Sequence, residues 1–181
     1  LKNDPDHLND VEIANFDSDY FLKDDIFLSL RDFNQILHYR PSENKIIRTI
    51  SGPFSSQHDV DIISENEIMI FNNNNLLKNG KNSNLVVYNF ETKSFSNIFK
   101  KELDLLNLKT RTEGLADKIE NKGYMIEETN GGRIIILDKM GNIDLEYLNK
   151  SKNKLFYLNW SRMIDDPKKI KIIKEKFKNK K

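Results

Sequence analysis

The chain contains no cysteine, which excludes disulfide bonds, thiolate metal sites and thiol catalysis. It also has no apolar run near the about 20 residues that a transmembrane helix requires, so no membrane insertion is expected. Neither sign of charge dominates, because 29 Lys and Arg stand against 28 Asp and Glu. This balance gives no general attraction to nucleic acid. The phosphate-binding loop and the metal-binding HExxH motif are both missing, and we expect neither a cofactor nor a metal.

What the sequence does contain is a series of short β-type segments, rich in Ile, Val, Phe and Tyr and bounded by Asn, Gly, Asp and Ser. The predicted strands lie at 11–15, 25–30, 35–40, 45–50, 60–63, 67–71, 84–89, 94–98, 115–119, 124–128, 133–137, 143–147 and 157–164. Only 103–108 and the tail after Asp166 have helical character, and Pro167 suits a first helical position. The predicted fold class is all-β with a short basic C-terminal helix.

The strands follow a longer repeat. Three stretches, beginning HLNDVEIA, QHDVDII and TEGLADKI, share one order of a polar anchor, an inner strand and further hairpin-like strands, and a fourth begins at YLNWSRMI. The aligned anchors Asn9, His58, Gly114 and Asn159 are 49, 56 and 45 residues apart. Four strands in about 40–50 residues are typical of a β-propeller blade. The alternative, a β-sandwich, would not repeat this order.

We therefore predict a partial β-propeller domain at 1–165, with blades at 7–52, 56–100 and 111–149 and a closing strand at 157–164. Each blade of a propeller buries a sheet face against its neighbour. The predicted blades number about three and a half, which is too few to close a propeller ring. We expect further blades before Leu1 to complete it and to pair with the closing strand. Residues 166–181 form a basic tail, with eight Lys and one Glu in 167–181. Such a tail is a solvated helix or chain end, or else a docking surface.

Three blocks of sequence carry a family resemblance. They are Gln57-His58-Asp59 followed by IMIFNNN, then EETNGGRIIILDKMGNIDLEY, and last NWSRMI. In this order, from about His7 to Ile164, they resemble the C-terminal part of the arylsulfotransferase family. The resemblance implies a six-bladed propeller, a periplasmic or other extracytoplasmic location, and an active site in the central channel. It also implies sulfuryl transfer from an aryl sulfate to a phenol without the phosphoadenosine sulfate donor, through a histidine that carries the group transiently.

Sulfuryl transfer requires a nucleophile and an acid, and three residues are candidates for these catalytic roles. His58 begins an inner strand beside Asp59, although residues 57–59 are also explained as polar caps of blade edges. His7 faces the same channel by internal symmetry, or else lies on the surface. Glu113 occupies the third anchor as a general base or as a hydrogen-bond acceptor between blades. His38 falls on a third strand and is interpreted as structural or solvent-facing.

The charged oxygens of the sulfate require cations or hydrogen-bond donors, and Arg111 and Arg162 are the predicted binding residues. Their alternative role is to pair with neighbouring carboxylates. Asn9 and Asn159, at anchor positions, and Asp59, beside His58, complete the predicted substrate-binding set, whereas the asparagine run at 72–75 is predicted to be a plain loop.

The sequence departs from the family at the third and fourth anchors, which carry Glu113-Gly114 and Asn159-Trp160 in place of histidines. Three functions therefore stay open. The first is an arylsulfotransferase-like enzyme acting on a small aryl sulfate and a phenol. The second is a non-catalytic propeller that binds a small anionic or aromatic ligand or a protein partner. The third is a purely structural segment. The sequence does not indicate an oligomeric state.

Overall fold

The computed structural model describes residues 4, 6–75, 82–164 and 166–178. Within these residues the strands form three four-stranded antiparallel sheets and one two-stranded hairpin. The elements, in chain order, are β1 (Leu8–Ile13), β2 (Ile26–Leu30), β3 (Gln35–Arg40), β4 (Lys45–Ser51), β5 (His58–Ser64), β6 (Glu67–Asn72), β7 (Asn84–Asn89), β8 (Ser94–Ile98), α1 (Lys100–Leu105), β9 (Leu115–Ile119), β10 (Gly123–Glu128), β11 (Arg133–Asp138), β12 (Ile143–Leu148), β13 (Lys150–Ser151), β14 (Lys154–Leu155) and α2 (Pro167–Lys178).

In each large sheet, strands that are consecutive in sequence are neighbours in space. The first sheet contains β1–β4, the second contains β5–β8 and the third contains β9–β12. A four-stranded meander that recurs along the chain is the blade of a β-propeller. The predicted all-β propeller fold is therefore confirmed.

The turns between the third and fourth strands of each sheet hold the predicted turn residues. In the first sheet, Asn44 takes the left-handed conformation (φ 49°) after a short 3₁₀ turn. In the second, the Asn89 side chain accepts hydrogen bonds from the backbone N–H groups of Glu91 and Thr92. In the third, Gly141 is left-handed (φ 87°). Asn44 and Gly141 suit these turns because Asn and Gly tolerate positive φ, whereas in the second sheet Asn89 acts through its side chain and Lys93 takes the positive φ (52°).

The core lies between the sheets, and the alternation of side chains in the second sheet shows how it forms. Ile68 and Ile70 of β6 pack in a cluster with residues of the first sheet, such as Phe27. Met69 and Phe71 point to the opposite face and pack in a second cluster with residues of the third sheet. Each fully buried side chain of this size stabilises the fold by about 1.5–3 kcal/mol. The second sheet is thus apolar on both faces, as expected of a blade with two neighbours.

His38 belongs to a buried ion cluster inside the first sheet. The Asp25 carboxylate accepts two hydrogen bonds of 2.8 Å from the Arg40 guanidinium and contacts His38 Nε2 at 2.7 Å. Burial opposes ionisation of Asp25, but hydrogen bonds from Arg40 and the Leu22 N–H hold its pKa below the usual range. The His38 ring stacks on Phe27 at 4.5 Å and is fully buried. The structural interpretation of His38 is confirmed, and the solvent-facing one is wrong.

Two predicted elements differ in the described chain, and the first of them was expected to need a partner strand from before Leu1. Residues 157–164, predicted as a closing strand, form no strand, and the short hairpin β13–β14 precedes them instead. A strand requires a ladder partner along its length. Here the described backbone bonds are isolated ones, from Leu158 N–H to the Thr129 carbonyl and from Ser161 N–H to the Glu127 carboxylate. The helix predicted at 103–108 lies at Lys100–Leu105, while the predicted C-terminal helix is present as α2.

Candidate active site at the inner strand starts

The inner strands β1, β5 and β9 begin next to one another, and their polar starts surround one cavity of about 190 Å³. Its lining residues come from all three sheets and from the segment after β14: His7, Asn9, Asp10, His58, Asp59, Glu113, Gly114, Leu115, Glu127, Thr129 and Trp160. The lining thus includes carboxylates, two imidazoles and one indole. The cavity therefore combines acid–base groups with an aromatic surface.

Carboxylates at one repeat position fasten each inner strand to the next. Asp10 of β1 accepts a 2.8 Å hydrogen bond from the Val60 N–H of β5. Asp59 of β5 accepts a 2.6 Å bond from the Ala116 N–H of β9. Asp10 and Asp59 occupy equivalent places in the repeat, directly after the anchor. The inner edges of neighbouring sheets are thus joined by the same contact twice, and this contact brings both carboxylates to the cavity.

The Gln57-His58-Asp59 motif spans three sheets. The buried Gln57 amide donates to the Leu30 and Gln35 carbonyls of the first sheet, each at 3.1 Å. Asp59 reaches the third sheet, as described above, with its own backbone in the left-handed conformation (φ 50°). The capping role weighed for this motif from sequence is therefore present. It coexists with the exposure of His58 and Asp59 to the cavity.

His58 is held at both ring nitrogens. Nε2 accepts a 3.1 Å hydrogen bond from the Glu113 N–H, so this nitrogen carries the lone pair. The proton therefore resides on Nδ1, which donates to Asn73 Oδ1 at 2.7 Å and lies 3.2 Å from the Ser56 carbonyl. Burial lowers the pKa of His58 below its usual range, against the opposing hydrogen bond from Asn73. The ring is a neutral imidazole of defined tautomer, with its basic nitrogen at the start of the third sheet.

Asn73 is a site residue that sequence reasoning missed, because the run at 72–75 was predicted to be a plain loop. Its carbonyl oxygen fixes the His58 tautomer, and its amide donates to the Thr110 and Glu113 carbonyls at 3.1 Å and 2.7 Å. Asn73 is almost fully buried. The available signal was the resemblance itself, since the asparagines end the strand that follows the Gln-His-Asp motif.

The carboxylates of the inner strands are crowded, and burial raises their pKa values. It raises the pKa of Asp59 well above its usual range, with Asp10 and Asp117 adding to the effect. Burial and the neighbouring Asp59 raise the pKa of Asp61 to about 10. One carboxylate oxygen of Asp61 is buried and makes no hydrogen bond within the described part of the chain. Asp59 faces the cavity with a raised pKa, and a carboxyl group of raised pKa is better suited to donate a proton than an ordinary one.

His7, Asn9 and Glu113 also line the cavity. Half-exposed His7 lies at the mouth and pairs with Asp4 at 3.2 Å. The Asn9 amide donates to the Gln57 carbonyl at 2.8 Å. Glu113 contributes its backbone in the left-handed conformation (φ 59°), whereas its side chain is exposed. The contact of Glu113 with His58 is through the N–H group, so the predicted role of its carboxylate as a base has no support from geometry.

The predicted anion-binding residues are only partly brought together. Arg111 and Asn159 are exposed and do not line the cavity. The Arg111 backbone is tied to Asn130 Oδ1 (2.8 Å), which leaves the side chain in solvent. Arg162 lies over the Trp160 ring at 5.1 Å, and Trp160 lines the cavity. Arg162 itself is exposed and does not line the cavity, although its charge opposes the rise in the pKa of Asp59.

With this geometry established, the sequence was compared with known families. The model of the arylsulfotransferase (ASST) family matches residues 2–150. The chain belongs to the arylsulfotransferase family. Among curated proteins, no sequence match was found.

Solved structures resemble the fold of this arylsulfotransferase-family chain at low identity. Hydrazine synthase of Kuenenia stuttgartiensis matches with a TM-score of 0.53 and 8% identity over 81% of this chain and 37% of its own. A streptogramin B lyase matches with a TM-score of 0.51 and 16% identity, over 81% of this chain and 42% of its own. Virginiamycin B lyase of Staphylococcus aureus matches with a TM-score of 0.49 and 16% identity, over 81% of this chain and 43% of its own. The chain thus spans about two fifths of these structures' lengths, and the likeness concerns fold alone.

Within the described residues of this family member, no three His, Asp or Glu side chains are grouped so that they could hold a metal ion. Trp160, Leu115 and Glu127 are further lining residues that were not among the predicted site. Trp160 directly follows the predicted Asn159 and has a left-handed backbone (φ 58°). This conformation accompanies the placement of the indole, and not the Asn159 amide, in the lining.

Proposed function

We propose that this chain contributes a channel site for sulfuryl transfer from a phenolic sulfate ester to a phenol, with His58 as the residue that carries the group. The observation that supports this most is the state of His58. It is a neutral imidazole of single tautomer at the wall of a cavity, in a chain of the arylsulfotransferase family. A neutral imidazole nitrogen is a competent nucleophile, whereas an imidazolium is not.

In the first half-reaction, His58 Nε2 attacks the sulfur and the bond from sulfur to the aryl oxygen breaks. The aryl oxygen leaves as a phenol after taking a proton, and the candidate donor is the Asp59 carboxyl group, whose pKa burial raises. The Glu113 N–H donates a 3.1 Å hydrogen bond to Nε2, and the attack on sulfur breaks this bond. The N–H group is then free to donate to a sulfuryl oxygen, a contact that stabilises the charge developing there.

In the second half-reaction, the acceptor phenol attacks the sulfur and the bond between sulfur and Nε2 breaks. The Asp59 carboxylate takes the phenolic proton, so His58 and Asp59 both return to their starting states. The aromatic rings have a matching surface in Trp160 and Leu115, and Arg162, stacked on Trp160, is the candidate partner of the sulfate. Such a cycle predicts ping-pong kinetics.

The test is release of nitrophenol from 4-nitrophenyl sulfate in the presence of phenol, with intact protein. We expect His58→Asn to abolish release while thermal unfolding remains cooperative, and Asp144→Asn, an exposed change on β12, to retain it. Mass spectrometry of protein quenched without acceptor is expected to find a sulfuryl group on the His58 peptide. If His58→Asn retains activity, or if folded wild-type protein releases no nitrophenol, this proposal is refuted for that donor.

A second candidate is a non-catalytic propeller that binds a small aromatic ligand. The observation in its favour is that both His58 nitrogens already have partners, so the residue also serves to join the second and third sheets. Isothermal titration with 4-nitrophenyl sulfate separates the candidates. Saturable heat without turnover favours the binding module, whereas turnover favours the enzyme.

A further inference from the structure

The C-terminal helix α2 carries large apolar side chains that the rest of the described chain does not cover. None of its residues is buried, and Ile172, Ile173 and Phe177 are 53%, 37% and 69% exposed. Within the described residues no helix is both long and apolar enough to cross a membrane. The 12 residues of α2 extend only about 18 Å, less than the about 30 Å of a bilayer core.

Three of the four large apolar side chains of α2 lie on one face. Ile170, Ile173 and Phe177 follow one another at spacings of three and four residues, which places them in one stripe along the helix. Ile172 is the exception and lies among lysines on the opposite side. A stripe of this width that no other described residue covers favours a partner surface that is itself apolar.

Lysines border the stripe on both sides. At 100° per residue, Lys169 and Lys176 fall along one edge, and Lys174 and Lys178 fall along the other. The only acidic residue of the helix, Glu175, lies away from the stripe and pairs with Lys171 at 4.0 Å. Flexible lysine stems extend away from an apolar face and set their charges at the level where lipid headgroups lie. The partner surface is therefore expected to be apolar where it meets the stripe and negatively charged where it meets the bordering lysines.

We propose that α2 is an interfacial anchor, which lies in the plane of an anionic lipid surface with Ile170, Ile173 and Phe177 inserted and the lysines against the headgroups. A protein groove would match the stripe, but the lysines on both of its edges match a continuous negative surface. This inference is independent of the proposed sulfuryl transfer, since α2 contributes no lining residue to the cavity.

The experiment is co-sedimentation of the intact protein with vesicles of phosphatidylglycerol mixed with phosphatidylcholine, and with vesicles of phosphatidylcholine alone. We expect binding to the anionic vesicles, weakened at least about tenfold without the anionic lipid or in about 0.5 M salt. Replacing both exposed anchors, with Ile173→Ser and Phe177→Ser together, is expected to weaken binding by about tenfold or more. Far-UV circular dichroism and thermal unfolding of the variant check that the sheets are intact.

The matched control is Lys139→Gln with Met140→Ser. It removes one lysine and one apolar side chain that is 80% exposed in the turn between β11 and β12, and we expect it to bind like wild type. Equal binding to neutral and anionic vesicles, or none to either, overturns the proposal. So does full binding by the Ile173 and Phe177 variant, because the tail would then act as a plain polycation. Concentration-dependent self-association without lipid binding would instead assign the face to a contact between copies.

Discussion

Replacing Asp61 by asparagine is expected to stabilise the protein, although Asp61 lies in the middle of an inner strand. Burial and the neighbouring Asp59 raise the pKa of Asp61 to about 10, from an ordinary 3.8. At neutral pH the unfolded chain carries an ionised Asp61 and the folded chain a protonated one, so folding must take up a proton. The asparagine of the variant has no proton to take up, and its amide is of nearly the same size and shape as the carboxyl group.

The size of the effect follows from linkage. One pKa unit corresponds to about 1.36 kcal/mol, so protonating Asp61 at neutral pH costs about 4 kcal/mol as an upper limit. Water near the cavity and relaxation of the crowded carboxylates reduce this cost, and we expect Asp61→Asn to raise the free energy of unfolding by about 1–3 kcal/mol. Because the folded pKa is raised, the contribution of Asp61 is fully favourable below about pH 4. It is lost progressively as the pH rises toward about 10.

The assay is urea unfolding of wild type and variant at about pH 5 and about pH 8, where linkage predicts that the gap widens by up to about 1.4 kcal/mol per pH unit. The exposed change Asp144→Asn controls for loss of one negative charge and should leave the slope of stability against pH unchanged. If Asp61→Asn has the same slope as wild type, or is destabilised at both pH values, Asp61 is ionised in the folded protein and the reasoning fails.

Two further predictions concern buried hydrogen bonds. Asp25→Asn leaves the Arg40 guanidinium without its bidentate carboxylate and is expected to cost about 3–5 kcal/mol by urea unfolding. Because the folded pKa of Asp25 is depressed, this difference should shrink as the pH falls below about 4, and equal losses at all pH values would contradict the assignment. Asn73→Ala removes the acceptor that fixes the His58 tautomer. In wild type, the ¹⁵N NMR shifts of the His58 ring should report only the Nδ1–H tautomer. In the variant they should report a mixture of both tautomers, and the pKa of His58 should be lower still. An Nε2–H tautomer in wild type would refute the tautomer assignment.

The repeat and the turns could be predicted because their causes are local. Short runs of β-branched and aromatic residues favour strands wherever they occur, and Asn44 or Gly141 permits a tight turn regardless of distant contacts. The carboxylates after the anchors were visible at equal repeat positions, at Asp10 and Asp59. The closing strand at 157–164 was expected to pair with blades before Leu1 and stays a prediction, because strand formation depends on a partner strand, which is not a local property.

Membership of the arylsulfotransferase family and the meeting of the inner strand starts were thus legible in the sequence, through the Gln57-His58-Asp59 motif and its repeat spacing. Only the tertiary structure decided what each polar side chain does. It places the Glu113 N–H on His58 Nε2 and the Asn73 carbonyl on Nδ1, and it leaves Arg111 and Asn159 in solvent. The physical reason is that tautomer, pKa and burial depend on groups 15 to 57 residues away along the chain, which strand pairing within the second sheet and its packing against the third bring together.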